Sequence, residues 1–131
     1  MIASPSLALA LLMASAPPSL AALRWEKRVL LVSAAGEGDP LLREQRHIIR
    51  RWRAGADDRD LIVVEIIGDR VAGVTDTAAS LRRLHRIPAT GFAVALVGKD
   101  GGTKLRDRRA ITAAVLEETI DAMPMRRAGE R

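Results

Sequence analysis

The chain has no cysteine and no tyrosine, and aromatics make up 2% of it: Trp25, Trp52 and Phe92. Without cysteine there is no disulfide staple, no thiolate nucleophile and no cysteine-ligated metal. With so few rings the core has to be aliphatic, drawn from the 48% of residues that are hydrophobic, chiefly Leu, Ile, Val and Ala. A strong excess of one charge is lacking too: 21 basic residues stand against 16 acidic ones, for a formal charge of +5. Arginine heavily outnumbers lysine, and a GC-rich genome accounts for that excess together with the abundant alanine. At 131 residues there is room for one domain.

The N-terminal apolar run, Leu7 to Met13, is far too short to span a bilayer, which takes roughly 20 residues. Pro17, Pro18 and small residues follow it, and the first charged side chain is Arg24. Ser19-Leu20-Ala21 fits the small-x-small cleavage rule, so residues 1–21 read as a secretory signal peptide cleaved near Ala21. Its missing feature is a Lys or Arg ahead of the apolar run. The expected product is periplasmic or secreted: a domain over residues 22–127 and a short tail, 128–131.

Along that domain, Arg28 to Ser33 (RVLLVS) is a continuous apolar run, as in a strand covered on both faces. After a loop, Asp39-Pro40 supplies an N-cap and a proline at the first helical position. The helix is expected to reach Arg53, with Leu41, Gln45, Ile48, Ile49 and Trp52 on its apolar face and Arg43, Arg46, Arg50 and Arg53 as a basic stripe. Ala54 to Asp60 is expected to break it. Leu61 to Ile67 (LIVVEII) is a second strand, rich in β-branched residues. Gly68 to Asp76 reads as a loop or a short edge hairpin. Thr77 to Arg86 has helical spacing with Leu81 and Leu84 pointing inward. Phe92 to Val97 is a third strand, and Asp100-Gly101 marks a tight turn into a returning strand, Thr103 to Arg106. A last helix, Ile111 to Met123, has Ile111, Val115, Ile120 and Met123 as core positions and is expected to end at Pro124. The order β-α-β-α-β-β-α predicts an α/β fold of thioredoxin-like class, a small mixed sheet with helices on both faces.

Three stretches are more specific than this pattern: Leu23-Arg24-Trp25-Glu26-Lys27-Arg28-Val29-Leu30-Leu31, Gly98 to Arg106 (GKDGGTKLR), and Ile120 to Arg127 (IDAMPMRR). Together they resemble domain of unknown function 4174, a peroxiredoxin-like family found in small exported bacterial proteins and in animal extracellular proteins of the sushi-repeat and equarin type. The resemblance covers about Leu23 to Arg127. It implies a thioredoxin-like domain outside the cytoplasm and brings no established reaction with it. It also leads one to expect an aromatic and a proline after the first strand, where Ser33-Ala34-Ala35 stands.

The absent thiol rules out thiol redox chemistry. The helix N-terminus that would tune such a thiol could hold an anion instead, but Glu37 and Asp39 flank that position and repel one. Ser33 has no nearby base. Lys99 to Gly102 lacks both a following helix and a Walker pattern, so it is read as a hairpin turn rather than a phosphate loop. Around it Lys99, Lys104, Arg106, Arg126 and Arg127 form a candidate basic rim for an anionic ligand or an acidic protein partner. The arginine stripe suits phosphate backbones, yet the scarcity of aromatics for base stacking disfavours nucleic acid. His47 and His85 stand alone, and Asp57, Asp58 and Asp60 lack the glycine and distal glutamate of a calcium loop; no metal or cofactor is expected. The reading is a non-catalytic binding or interaction module. The alternatives are a thiol-independent enzyme built on Glu37, Asp39 and Pro88 (the last a candidate cis-proline), or a structural, stress-associated envelope protein.

Overall fold

The computed structural model describes residues 16–131, so most of the expected signal peptide lies outside the described residues. Strand β1 (Arg28–Ala34) is buried along its whole length and lies at the centre of a five-stranded sheet. Helices α1 (Pro40–Arg51) and α2 (Arg53–Asp58) carry the chain across to β2 (Leu61–Ile67), which pairs with β1 in parallel. Strand β3 (Arg70–Ala72) folds back on β2 as the edge hairpin. Helix α3 (Ala78–Leu84) leads to β4 (Ala93–Val97), antiparallel to β1 on its other side, and β5 (Thr103–Asp107) closes the order β3-β2-β1-β4-β5. Helices α4 (Ala113–Asp121) and α5 (Pro124–Arg127) complete the chain. This is the mixed α/β sheet that the element order predicts, and it is consistent with the thioredoxin-like class.

Alternation along the strands makes two cores. Leu30, Val32, Val94 and Leu96 point to one face, against Leu42 and Ile49 of α1 and Leu116 and Ile120 of α4. Val29, Leu31, Ala93, Ala95 and Val97 point to the other, against Ala78 and Leu81 of α3. Leu30, Leu31, Leu81, Leu96, Leu116 and Ile120 are all fully buried, and each contributes roughly 1.5–3 kcal/mol by leaving water.

Several local expectations are corrected. The chain stays helical after Trp52, forming α2 where Ala54 to Asp60 was expected to break it. Trp52 only kinks the path (φ −104°, ψ 21°), and Gly55 leaves the space its indole occupies: a Cβ there would lie 2.1 Å from Trp52 Nε1. In α1 the deepest apolar contact is Leu42, with Gln45 and Ile49, while Leu41, Ile48 and Trp52 are half-buried. Leu84 is 66% exposed, because α3 ends there and the chain turns at Arg86 (φ 52°). Val115 is 42% exposed and Leu116 takes its inward place. Thr112 caps α4, so Ile111 precedes the helix and does not set its phase. Pro124 begins α5 rather than ending helical structure. Pro88, by default an ordinary trans proline after a helix, is trans, and no peptide bond among the described residues is cis.

The chain just ahead of β1 belongs to the fold. Thr75 N donates to the Pro18 carbonyl at 3.0 Å, Leu20 N donates to Asp76 Oδ1 at 2.7 Å, and the Leu20 side chain is buried in the second core. A folded unit drawn from Ala22 onward would leave these contacts out.

Candidate functional site

The three distinctive stretches of sequence, far apart along the chain, meet at one end of the sheet. This is the end where β1 and β2 begin and β4 finishes. They surround a cavity of about 420 Å³, to which every lining residue but Thr119 belongs to one of them. Trp25, Arg28, Lys99, Lys104, Met123 and Met125 are its main walls.

Each wall has a local cause. Trp25 adopts φ 69°, which throws its indole outward, 58% exposed, and Trp25 N donates to the Lys99 carbonyl at 2.6 Å. Three residues on, the chain enters β1, and Arg28 N donates to the Asp60 carbonyl at 2.9 Å. Asp60 itself sits at φ 51°, where a short polar side chain is tolerated. At the end of β4 the turn closes with Gly98 N on the Gly102 carbonyl at 2.9 Å, and Gly101 takes the φ of 86° that the turn demands. Met123, ahead of Pro124, turns α4 into α5 and lays Met123 and Met125 over the opening.

The charges inside are unequal in their partners. Lys99, buried despite its charge, donates to Asp60 Oδ2 at 2.9 Å. Burial pushes the Asp60 carboxyl up, but hydrogen bonds from Lys99 and Arg131 outweigh it and hold the group below the usual carboxylate range. Lys104 donates to Asp100 Oδ2 at 2.7 Å, and that bond, with one from Gly102 N, holds Asp100 low as well. Arg28 differs. It is 1% exposed and pairs with no Asp or Glu side chain among the described residues. Its Nη1 donates to the Arg59 carbonyl (2.7 Å) and to the main-chain oxygen of Arg131, and its Nε rests 3.3 Å from Met123 Sδ. Burial, then the nearby Arg126, lowers its pKa, with Asp60 and Asp121 pulling the other way.

Arg59 braces the roof of the cavity. It is nearly buried and holds Asp121 of α4 through two nitrogens at 3.0 and 3.1 Å, Glu117 at 2.9 Å and the Gly55 carbonyl at 3.0 Å, with its guanidinium over the Trp52 ring.

The five residues of the expected rim fall into separate places. Lys99 and Lys104 line the cavity. Arg126 stands outside it, bonded to Asp58 at 2.5 Å and Asp121 at 3.2 Å. Arg127 is exposed. Arg106 pairs with Ala95 across the β4–β5 ladder and borders a different hollow, with Arg86, Pro88 and Arg108. At the opposite end of the sheet Glu37 is bound to Arg46 (2.9 Å) and Arg70 (2.8 Å), and Asp39 accepts from Leu41 N at 2.8 Å as the cap of α1. Pro88 borders the Arg106 hollow instead. Ser33 is buried, with Arg82 donating to its Oγ at 3.3 Å. Reasoning from sequence missed Arg28, Trp25, Asp60 and the two methionines. The available signal was a charge at the head of an otherwise apolar strand.

The model of the domain of unknown function DUF4174 matches residues 19–129. The chain belongs to the DUF4174 family. Among curated proteins it is similar to the sushi repeat-containing protein SRPX of Rattus norvegicus, with 32% identity over 111 residues and 78% of this chain. The Homo sapiens and Mus musculus SRPX proteins match at 31% identity over the same share. The matched part is 24% of each relative, so this DUF4174 chain spans only about a quarter of the proteins it matches.

Proposed function

We propose that this DUF4174 protein is an exported, non-catalytic binding module whose ligand enters the cavity between Trp25 and Met125. The reading rests on one observation, buried cations beside unfilled apolar space: Arg28 and Lys99 at the wall of a cavity of about 420 Å³. Of the expected rim, the reading keeps Lys99 and Lys104 and drops Arg106, Arg126 and Arg127. The ligand is anionic, either free or as the acidic surface of a protein partner.

Export is supported by the N-terminal pattern of residues 1–21. Because Leu20 is packed in the second core, the cleavage we propose leaves Pro18 to Leu20 attached. The mass of the processed protein from an envelope fraction tests this, and a mature chain beginning at Ala22 contradicts it.

For the binding role the test is a thermal-shift panel on the mature protein with phosphate, sulfate, anionic glycans and carboxylates at matched ionic strength. An anion at about 100 times its dissociation constant adds about 2.7 kcal/mol of stability, several degrees in a domain of this size. The shift should shrink in Lys104→Glu. A flat panel contradicts the reading.

A further inference from the structure

Away from the cavity, a second hollow of about 420 Å³ opens between the loop after α3 and the edge strand β5. Three guanidiniums border it: Arg86 behind α3, Arg106 on β5 and Arg108 just beyond that strand. All three are exposed, and none pairs with an Asp or Glu side chain among the described residues. One carboxylate, Asp107, borders the hollow too, and its Oδ1 accepts from Arg109 N at 2.9 Å. The rest of the lining is apolar: Ile87, Pro88, Ala93 and Val94.

The backbone sets the arginines in place. Helix α3 closes with Ile87 N on the Arg82 carbonyl at 2.8 Å, a turn in which the residue before Ile87 takes the left-handed conformation. That residue is Arg86, at φ 52°. Glycine is the usual occupant, because a Cβ there costs roughly 1–2 kcal/mol. Strain kept where a cheaper residue would serve points to a use for the side chain. Arg108 Nη2 donates to the Thr90 carbonyl at 3.3 Å, and Gly91, at φ 77°, leaves room for it: a Cβ on Gly91 would lie 3.0 Å from that nitrogen. Arg106 stands opposite Ala95 in the ladder, on the side of the sheet that α3 covers.

Three guanidiniums against one carboxylate suit an anion of two negative charges, and the planar fork of each matches the oxygens of a phosphoryl group. The hollow is larger than a phosphoryl group needs, and its apolar lining offers a place for the rest of a molecule. We propose that this hollow binds a small phosphomonoester, its phosphoryl oxygens on Arg86, Arg106 and Arg108 and its apolar body on Ile87 and Pro88. The site is separate from the cavity at Trp25 and does not depend on the binding role given to it.

Isothermal titration of the mature protein with phenyl phosphate, inorganic phosphate and benzoate tests this, at matched ionic strength and about pH 7.5, where the phosphoryl group is doubly charged. Phenyl phosphate should bind about tenfold tighter than benzoate, which brings one charge less, and about tenfold tighter than phosphate, which brings no apolar body. Arg86→Gly should weaken phenyl phosphate about tenfold without lowering the Tm of the free protein, since it removes the strain along with the charge. Arg106→Ser, at an exposed position, should weaken it as well, and Lys104→Glu should leave it unchanged. Burial, then Arg106, holds the His85 pKa down; a dianion on Arg106 offsets the second of these, so the imidazole should titrate at higher pH in phenyl phosphate. Benzoate or phosphate binding as tightly as phenyl phosphate overturns the inference, and so does binding that survives both Arg86→Gly and Arg106→Ser. Binding lost in Lys104→Glu instead assigns the ester to the cavity, which overturns this inference and supports the role proposed for the cavity. If phenyl phosphate does not bind, this site falls and the reading of the cavity stands.

Discussion

The two ends of the sheet treat charge in opposite ways. Where β1 and β2 finish, Arg46 grips both oxygens of Glu65 at 2.7 Å and one of Glu37 at 2.9 Å, and Arg70 takes the other Glu37 oxygen at 2.8 Å. These groups are half-buried or exposed, and every one named has its opposite beside it. Where β1 and β2 begin, Arg28 is buried with carbonyls and a thioether for company, and empty space lies alongside. A thioredoxin-like reading directs attention to the first end, because a thiol would sit there. In this chain that end is closed by ion pairs and a helix cap, and the buried cation beside open space sits at the other.

The comparison can be broken by substitution, and the largest effect should come from Arg28. Arg28→Ala leaves two carbonyl oxygens unsatisfied and opens a hole under α4, so it should cost about 3 kcal/mol in chemical denaturation. A change under 1 kcal/mol would mean Arg28 is not held as described. Next in size is the N-terminal segment. A chain starting at Ala22 should be about 2 kcal/mol less stable than one starting at Pro18, through lost Leu20 burial and the Asp76 bond. Equal stabilities would show Leu20 to be a passenger.

At the paired end, Arg46→Ala should cost about 1 kcal/mol, because solvent screens pairs that are this exposed. If it cost as much as Arg28→Ala, the contrast between the two ends would vanish. The smallest effect is one of pH. His85 is 3% exposed, its Nδ1 bonds Thr103 Oγ1 at 2.8 Å, its Nε2 has no partner, and burial, then Arg106, pushes its pKa down. The unfolded imidazole therefore takes a proton more readily than the folded one. His85 should favour folding fully above about pH 6.5, and that contribution should fade as pH falls below it. In His85→Gln the decline between pH 7 and pH 5.5 should be shallower; an unchanged slope would assign the decline to other groups.

Much of the scaffold was legible because its causes are local. RVLLVS and LIVVEII are strands by composition, Asp39-Pro40 caps α1, and Asp100-Gly101 turns β4 into β5. Errors arose where tertiary packing overrides spacing. Val115 and Leu116 are adjacent and both apolar, and only the Thr112 cap decides which faces the sheet. Gly55 reads as a breaker until the Trp52 ring is seen to need its missing side chain. The site was least legible. Lys99 and Lys104 were found as charges near a turn, but Arg106, two residues from Lys104 and on the same face of a regular strand, is parted from it by the register shift that leaves Lys104 out of the ladder. Arg28 reads as a solvated strand end until α4 and α5, some 95 positions away in the chain, close over it.

The most direct test of the account is an amide chemical-shift map of the mature protein during titration with the anion that raises its Tm most and does so less in Lys104→Glu. The account predicts that the largest shifts gather at Trp25, Arg28, Lys99, Met123 and Met125, at the end where β1 begins. Shifts centred instead on Gly36 to Asp39, or on Arg86 to Arg108, would contradict it, and so would a map that does not move.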